Sequence, residues 1–275
     1  MAKDTGFLGW ITRPFRRRGP VVPVVRLHGV IAADQRPGRL NIQSVAPLLH
    51  RAFRMSGPVV AIIVNSPGGS PVQSRLIAKR IRDLAGEHDK HVLVFVEDAA
   101  ASGGYFIATA GDEIIADPSS VVGSVGVIFA GFGFPQALAK LGVERRVHTA
   151  GKNKSTADPF LPEKPEDVER IKQMELDVHQ VFIDWVKSRR ASKLKAPDDQ
   201  LFTGEFWSGV RGLDLGLIDA LGDLHETLRT RFGEEVRTRI IEPKRGLFRL
   251  PSFGLAAADA VAAVEDRALW TRFGL

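Results

Sequence analysis

Several of the chain's Val- and Ile-rich runs are apolar on consecutive positions instead of alternate ones. The candidate strands are Val21 to Ile31, Val59 to Val64, His91 to Val96, Glu113 to Ala116, Val125 to Phe129 and Arg145 to His148. A strand can be apolar on both faces only where both faces are covered, which is the situation of a parallel sheet flanked by crossover helices. Helical patterns fall between the runs, at Gln43 to Met55, Pro71 to Ala85, Ser102 to Ala110, Pro135 to Leu141, Pro165 to Arg190 and His225 to Phe232. The alternation predicts an α/β fold. The second helix has a legible start, with Ser70 as N-cap, Pro71 at the first helical position and Gln73 three residues after the cap. In the long helix, Val168, Ile171, Met174, Val178, Val181 and Trp185 recur at spacings of three and four, which predicts one packing face.

Such a sheet needs a large core, and 275 residues with 44% hydrophobic and 25% charged content can supply one in a single body. No internal repeat is visible. The absence of cysteine excludes a disulfide scaffold, a thiol nucleophile and any cysteine-ligated metal site. The net charge of +6 sits at the ends: residues 1–24 carry +4, residues 244–275 carry +2, and residues 25–243 are neutral. A neutral body with basic ends does not read as a nucleic-acid-binding domain. Three segments follow: a basic, aromatic tail at 1–20, a body at 21–243 and an extension at 244–275. The tail combines Phe7, Leu8, Trp10, Ile11 and Phe15 with Arg13 and Arg16 to Arg18, a composition suited to peripheral contact with an anionic membrane surface. No secretory signal is visible. The uncharged stretch Pro118 to Ala139 is 22 residues long, but its four glycines, three serines and two prolines predict buried strand and loop instead of a membrane span.

Two glycine-containing segments follow strands directly. Asn65-Ser66-Pro67-Gly68-Gly69 lacks the spacing of a phosphate loop or a dinucleotide fingerprint, and no cofactor is expected. Asp98-Ala99-Ala100-Ala101-Ser102-Gly103-Gly104-Tyr105 places one serine among small residues at a helix start. Ser102 is therefore either a helix cap or a nucleophile whose oxyanion would meet the amide of Gly103. None of the seven histidines is tied by local spacing to Ser102 or to a carboxylate. A lysine can serve as base where burial lowers its pKa from about 10.4. Lys152 and Lys154, in Gly151-Lys152-Asn153-Lys154-Ser155, sit in more suitable company than the lysines of the charged helices.

Five blocks in order carry a resemblance: Val59 to Gly69, Asp98 to Ala108, Ala116 to Val127, Gly151 to Ser155 and Gly212 to Gly222. Across about residues 25 to 225 the chain resembles the bacterial signal peptide peptidase A family of Ser-Lys serine proteases. This implies a ClpP/crotonase-like fold, a spiral of βαβ units. It also implies Ser102 as nucleophile, Lys154 as general base 52 positions later, Ser124 as a serine that helps position the lysine, and an oxyanion hole from Gly103 and Gly68 or Gly69. Asn153 stands where the family often has an aromatic residue, and the family's usual N-terminal membrane anchor is not expected here. The resemblance implies a serine endopeptidase acting through an acyl-enzyme on peptides, signal-peptide remnants or unfolded proteins. A homo-oligomer is implied, with sites that subunits can share. The expected location is the cytoplasm, with peripheral contact at the inner face of the cell membrane. A crotonase-like acyl-CoA enzyme using the glycine turns alone, and an inactive scaffold, are the competing readings.

Overall fold

The computed structural model describes residues 19–34, 36, 38–243, 264 and 266–275. Its centre is a mostly parallel sheet. Strands β1 (Val21–His28), β4 (Val59–Ser66), β5 (His91–Ala101) and β6 (Glu113–Ala116) lie side by side, with β2 (Val30–Ile31) and β3 (Arg39–Leu40) forming a separate parallel pair. β9 (Ala220–Leu221) borders β6, and β10 (Arg237–Ile240) borders β1. Beyond its pairing with β6, the far end of β5 pairs with β7 (Val121–Gly123), which in turn pairs antiparallel with β8 (Phe206–Ser208).

The consecutive apolar runs have the physical cause that the sequence implied. All eight residues of β4 are buried. Val60, Ile62 and Val64 join a cluster with Ile77, Ile81 and Leu84 of helix α2 (Pro71–His88) and Leu49 and Phe53 of α1 (Ile42–Phe53). Their neighbours Val59, Ala61 and Ile63 join a second cluster, on the opposite face, with Leu228 of the helix Leu224–Phe232. Alternation of side chains along the strand divides one apolar run between two helical layers. The expected single α/β body with a spiral of βαβ units is thus present. Ser70 caps α2 through a bond accepted from the Gln73 amide. The long helix spans Pro165–Arg190 as expected.

Two expected strands are absent. Val125 to Phe129 and Arg145 to His148 form no strand, and apart from Val125 they lie in an arm, residues 126–164, whose one regular element is the short helix Pro135–Lys140. Strand-forming side chains without a neighbouring strand do not make a ladder. The uncharged stretch from Pro118 divides accordingly. Val122 and Val125 are buried, whereas Ile128, Phe129, Phe132 and Phe134 are exposed, Phe132 by 82%. The apolar face of the long helix divides too: Phe182 and Val186 are buried, and Met174 is 54% exposed. Neither buried residue belongs to the expected stripe: of its members Val168, Ile171, Val178 and Trp185 are half-buried, Trp185 stacking on Phe106, and Val181 is exposed like Met174. Residues 266–271 are helical and pack back onto the body, where Asp266 pairs with Arg39 and Trp270 stands 6.2 Å from the His28 ring. Residues 1–18 and 244–263 lie outside the described residues.

Candidate active site

The site begins at the carboxyl ends of β4 and β5. Asn65 ties them together: its amide donates to Asp98 at 2.6 Å and its carbonyl accepts from the Ala99 amide at 3.2 Å. Beyond β4 the chain turns through Gly68 and Gly69, at φ +104° and +135°. The Ile31 amide donates to Gly68, and the Ile31 carbonyl accepts from Ser70 at 2.7 Å. A Cβ on Gly69 would stand 2.0 Å from the Ile31 oxygen, and one on Gly68 would stand 2.8 Å from the Ser102 Cβ. Glycine is required at both positions by close approach as well as by φ. In this parallel bridge Gly69 turns its own amide away from Ile31. The Gly68 amide is engaged by the Ser66 hydroxyl at 3.2 Å. The amides of Gly69 and Gly103 have no partner among the described residues.

Ser102 stands where β5 meets the helix Gly103–Ala108. Its backbone has φ +51° and ψ −122°, a conformation that costs a non-glycine residue about 1–3 kcal/mol and persists only where the surroundings hold it. The surroundings are its amide bond to the Gly123 carbonyl at 2.9 Å and the Phe106 amide bond to its own carbonyl at 3.0 Å. Its side chain makes no cap hydrogen bond, so of the two readings of Ser102 the helix-cap one fails. The hydroxyl faces a cavity of about 370 Å³ with Gly69, Gly103, Phe106, Val127, Val178 and Phe182 on its walls. Part of the long helix's apolar stripe therefore lines this cavity, a role beyond the packing that its spacing predicted.

Ser124 follows Gly123 and is also at positive φ, +55°, buried, with its amide bonded to the Glu205 carbonyl at 2.6 Å. Gly123 thus links the two serines directly. Lys152 and Lys154 are placed differently. Both are exposed, on a run of turns in the arm, and neither lines the Ser102 cavity. The Lys154 amide bonds to Gly151, and its side chain has no partner among the described residues. Within one chain the structure brings Ser102, Ser124, Gly68, Gly69 and Gly103 together and leaves both lysines outside. Sequence reading missed Asn65 and Asp98, whose polar side chains at strand ends were a signal for a clamp. It also missed Leu269 and Arg272, which reach the cavity from the C-terminal segment and had no local signal. Among the described residues no group of three or more His, Asp or Glu is arranged to hold a metal ion. No helix there is long and apolar enough to cross a membrane.

A solved structure of a mutant 1510-N membrane-bound stomatin-specific protease matches 82% of this chain and 99% of its own, with a TM-score of 0.51 and 17% identity, a likeness of fold. A Brucella abortus protein named Na(+)/H(+) antiporter NhaA is 53% identical over 284 residues, covering 96% of this chain and 38% of that protein. The chloroplastic serine protease SPPA of Arabidopsis thaliana is 31% identical over 223 residues, covering 78% of this chain and 32% of that one. The chain thus spans well under half the length of these curated relatives. A sequence model of peptidase family S49 matches residues 85–236, which include Ser102, Ser124, Lys154 and all of β5. By that match, the chain belongs to peptidase family S49.

Proposed function

We propose that the chain is a serine endopeptidase that uses Ser102 as nucleophile and Lys154 as general base. The observation that carries this reading is a serine at strained φ that lines one cavity with Gly69 and Gly103, whose amides have no partner among the described residues. Such amides are placed to stabilise an oxyanion. In the proposed reaction, neutral Lys154 takes the proton of the Ser102 hydroxyl as its oxygen attacks the peptide carbonyl carbon. The tetrahedral oxyanion is held by the two amides. The lysine returns the proton to the leaving amine as the C–N bond breaks, giving an acyl-enzyme. Water then attacks the ester, losing a proton to Lys154, and Ser102 recovers its own. Ser124 acts as a positioning residue for the lysine.

A lysine serves as base only in its neutral form, which desolvation favours. Covering the arm would supply that. We infer that a second copy of the chain does so in a homo-oligomer, because Ile128, Phe129, Phe132, Leu141 and Val143 are all exposed on the arm that carries Lys154. Peripheral membrane contact through residues 1–20 is proposed on composition alone. Co-sedimentation with anionic vesicles that is lost on deleting 1–20 would support it.

The central test is reaction with a fluorophosphonate followed by mass spectrometry of the adduct. A single adduct on Ser102 is expected; an unlabelled or elsewhere-labelled protein overturns the assignment. Mixing Ser102→Ala with Lys154→Ala subunits then tests the shared site. Activity should return on subunit exchange, and no rescue despite proven exchange places the dyad within one chain.

A further inference from the structure

The cavity at Ser102 has an unusual charge balance. Its walls are largely apolar, with Val72, Phe106, Ile128, Val178 and Val181 among them. The charged residues on its lining are Arg75 and Arg272, and no carboxylate stands with them. Neither guanidinium forms an ion pair among the described residues, although most arginines of the body do.

Arg272 reaches the cavity because the C-terminal segment is docked there at three points. Asp266 accepts two bonds from Arg39, at 2.8 and 3.3 Å, and the Arg39 side chain is only 10% exposed. The Trp270 ring stands against His28, and Phe273 meets Phe206 edge-on at 5.0 Å between centroids. These contacts fall on the end of β1, on β3 and on β8, so Leu269 and Arg272 form one wall of the cavity. Arg75 enters from α2 on another.

A guanidinium is a planar set of donors matched to a carboxylate, and a pair of them without counter-charge beside apolar walls favours an anionic, partly apolar ligand. We propose that Arg75 and Arg272 are specificity-determining residues, selecting peptides that present a carboxylate next to an apolar side chain. The carboxylate is either an Asp or Glu side chain or the peptide's own C-terminus. The inference rests on Ser102 acting on peptides.

The test uses the full chain carrying Ser102→Ala, so that binding is read without turnover. Fluorescent hexapeptides with a Leu-Phe core are compared by anisotropy in four forms: internal Glu or internal Gln, each with a free or amidated C-terminus. Carboxylate-bearing forms should bind about tenfold more tightly than the neutral one, the scale of one or two partly exposed charge pairs. Whichever pair shows the gap identifies the source. Adding Arg75→Gln and Arg272→Gln should close the gap, while Arg75→Lys with Arg272→Lys should keep part of it. Equal binding of all four peptides, or Gln variants that weaken neutral and acidic peptides alike, overturns the proposal. So does an absence of peptide binding in a protein whose unmutated form takes the fluorophosphonate on Ser102. Without that adduct, it is the peptidase reading itself that has failed.

Discussion

Around Ser102 the neighbouring turns are pinned by a hydrogen bond or a glycine, and most neighbours are buried. Around Lys154 the chain runs through exposed turns with apolar side chains facing outward. The first region draws its rigidity from β4 and β5, which are covered on both faces and clamped by Asn65. The second, residues 126–164, has only one short helix and no sheet partner. If Ser102 and Lys154 act as proposed, the contrast is a division of labour: the fold of one chain builds the nucleophile and the oxyanion donors, and the base depends on a surface supplied by a second copy.

The largest expected effects fall on activity and should be alike in both regions. Ser102→Ala and Lys154→Ala should each lower kcat/KM by at least about a thousandfold. Their thermal midpoints should stay within a few degrees of the parent, since neither side chain fills core space. Lys152→Ala should retain activity within about threefold, and a collapse there with an active Lys154→Ala would move the base two residues.

Stability should separate the regions. The Arg190 side chain is 2% exposed and donates to Asp219 at 2.7 Å and to the Gly216 carbonyl, while Lys193 reaches the same carboxylate at 2.9 Å. Asp219→Ala would leave a buried guanidinium without its counter-charge and should cost about 3–5 kcal/mol in denaturant unfolding. Burial alone would raise the Asp219 carboxyl, but the bonds from Arg190 and Lys193, the Arg190 charge and the Ile114 amide together hold it below the ordinary range. A depressed carboxyl contributes stability that is present above its unfolded value of about 4 and lost as pH falls through the lower folded value. Unfolding free energy should therefore drop on acidification below about pH 4, and less steeply in Asp219→Asn. In the arm, the Phe160 amide and Arg145 hold the Asp158 carboxyl low as well. Its partner Arg145 is exposed and the pair is screened by solvent, so Asp158→Asn should flatten the acid limb less than Asp219→Asn.

Glycine substitutions should sharpen the contrast at smaller cost. At Gly68 an added Cβ would press on the Ser102 Cβ and on the Ala101 oxygen and Gly103 nitrogen, at 2.8 to 2.9 Å, with φ +104° besides. At Gly151, at φ +108°, the nearest atom would be the Lys154 Cγ at 3.1 Å, on a flexible side chain. Gly68→Ala should lose activity and about 2–3 kcal/mol, and Gly151→Ala about 1 kcal/mol from φ strain alone. Equal destabilisation would mean that the arm is as tightly held as the sheet.

The same division explains what the sequence could show. Consecutive valines and isoleucines announced β1, β4, β5 and β6 because burial on both faces leaves a compositional trace. The capping of α2 by Ser70 was legible because its chemistry is local. Val125 to Phe129 carries strand-forming residues too, yet the strand forms four residues earlier, at Val121–Gly123, where β5 and β8 offer pairing. Pairing partners distant in sequence leave no local mark, which also hid β8, β9 and β10. At the site, small residues around Ser102 pointed to a crowded corner, but the positive φ of Ser102 and Ser124 and the approach of Arg272 are tertiary facts.

The smallest effect on folding is the one that most directly tests the arm. Phe132 is 82% exposed and Leu141 75%, so neither contributes appreciable burial to the single chain. Phe132→Ser with Leu141→Ser should thus change unfolding free energy of the isolated chain by no more than about 0.5 kcal/mol each. If a second copy covers these side chains, the same change removes apolar area from that contact, at about 25 cal/mol per Å² of buried surface. Sedimentation velocity should then show the assembly shifting to smaller species. Peptidase activity should fall with it if that contact supplies the cover proposed for Lys154. A double variant that keeps both its sedimentation coefficient and its activity would show that the arm's apolar face serves something other than assembly, and would return the positioning of Lys154 to the single chain.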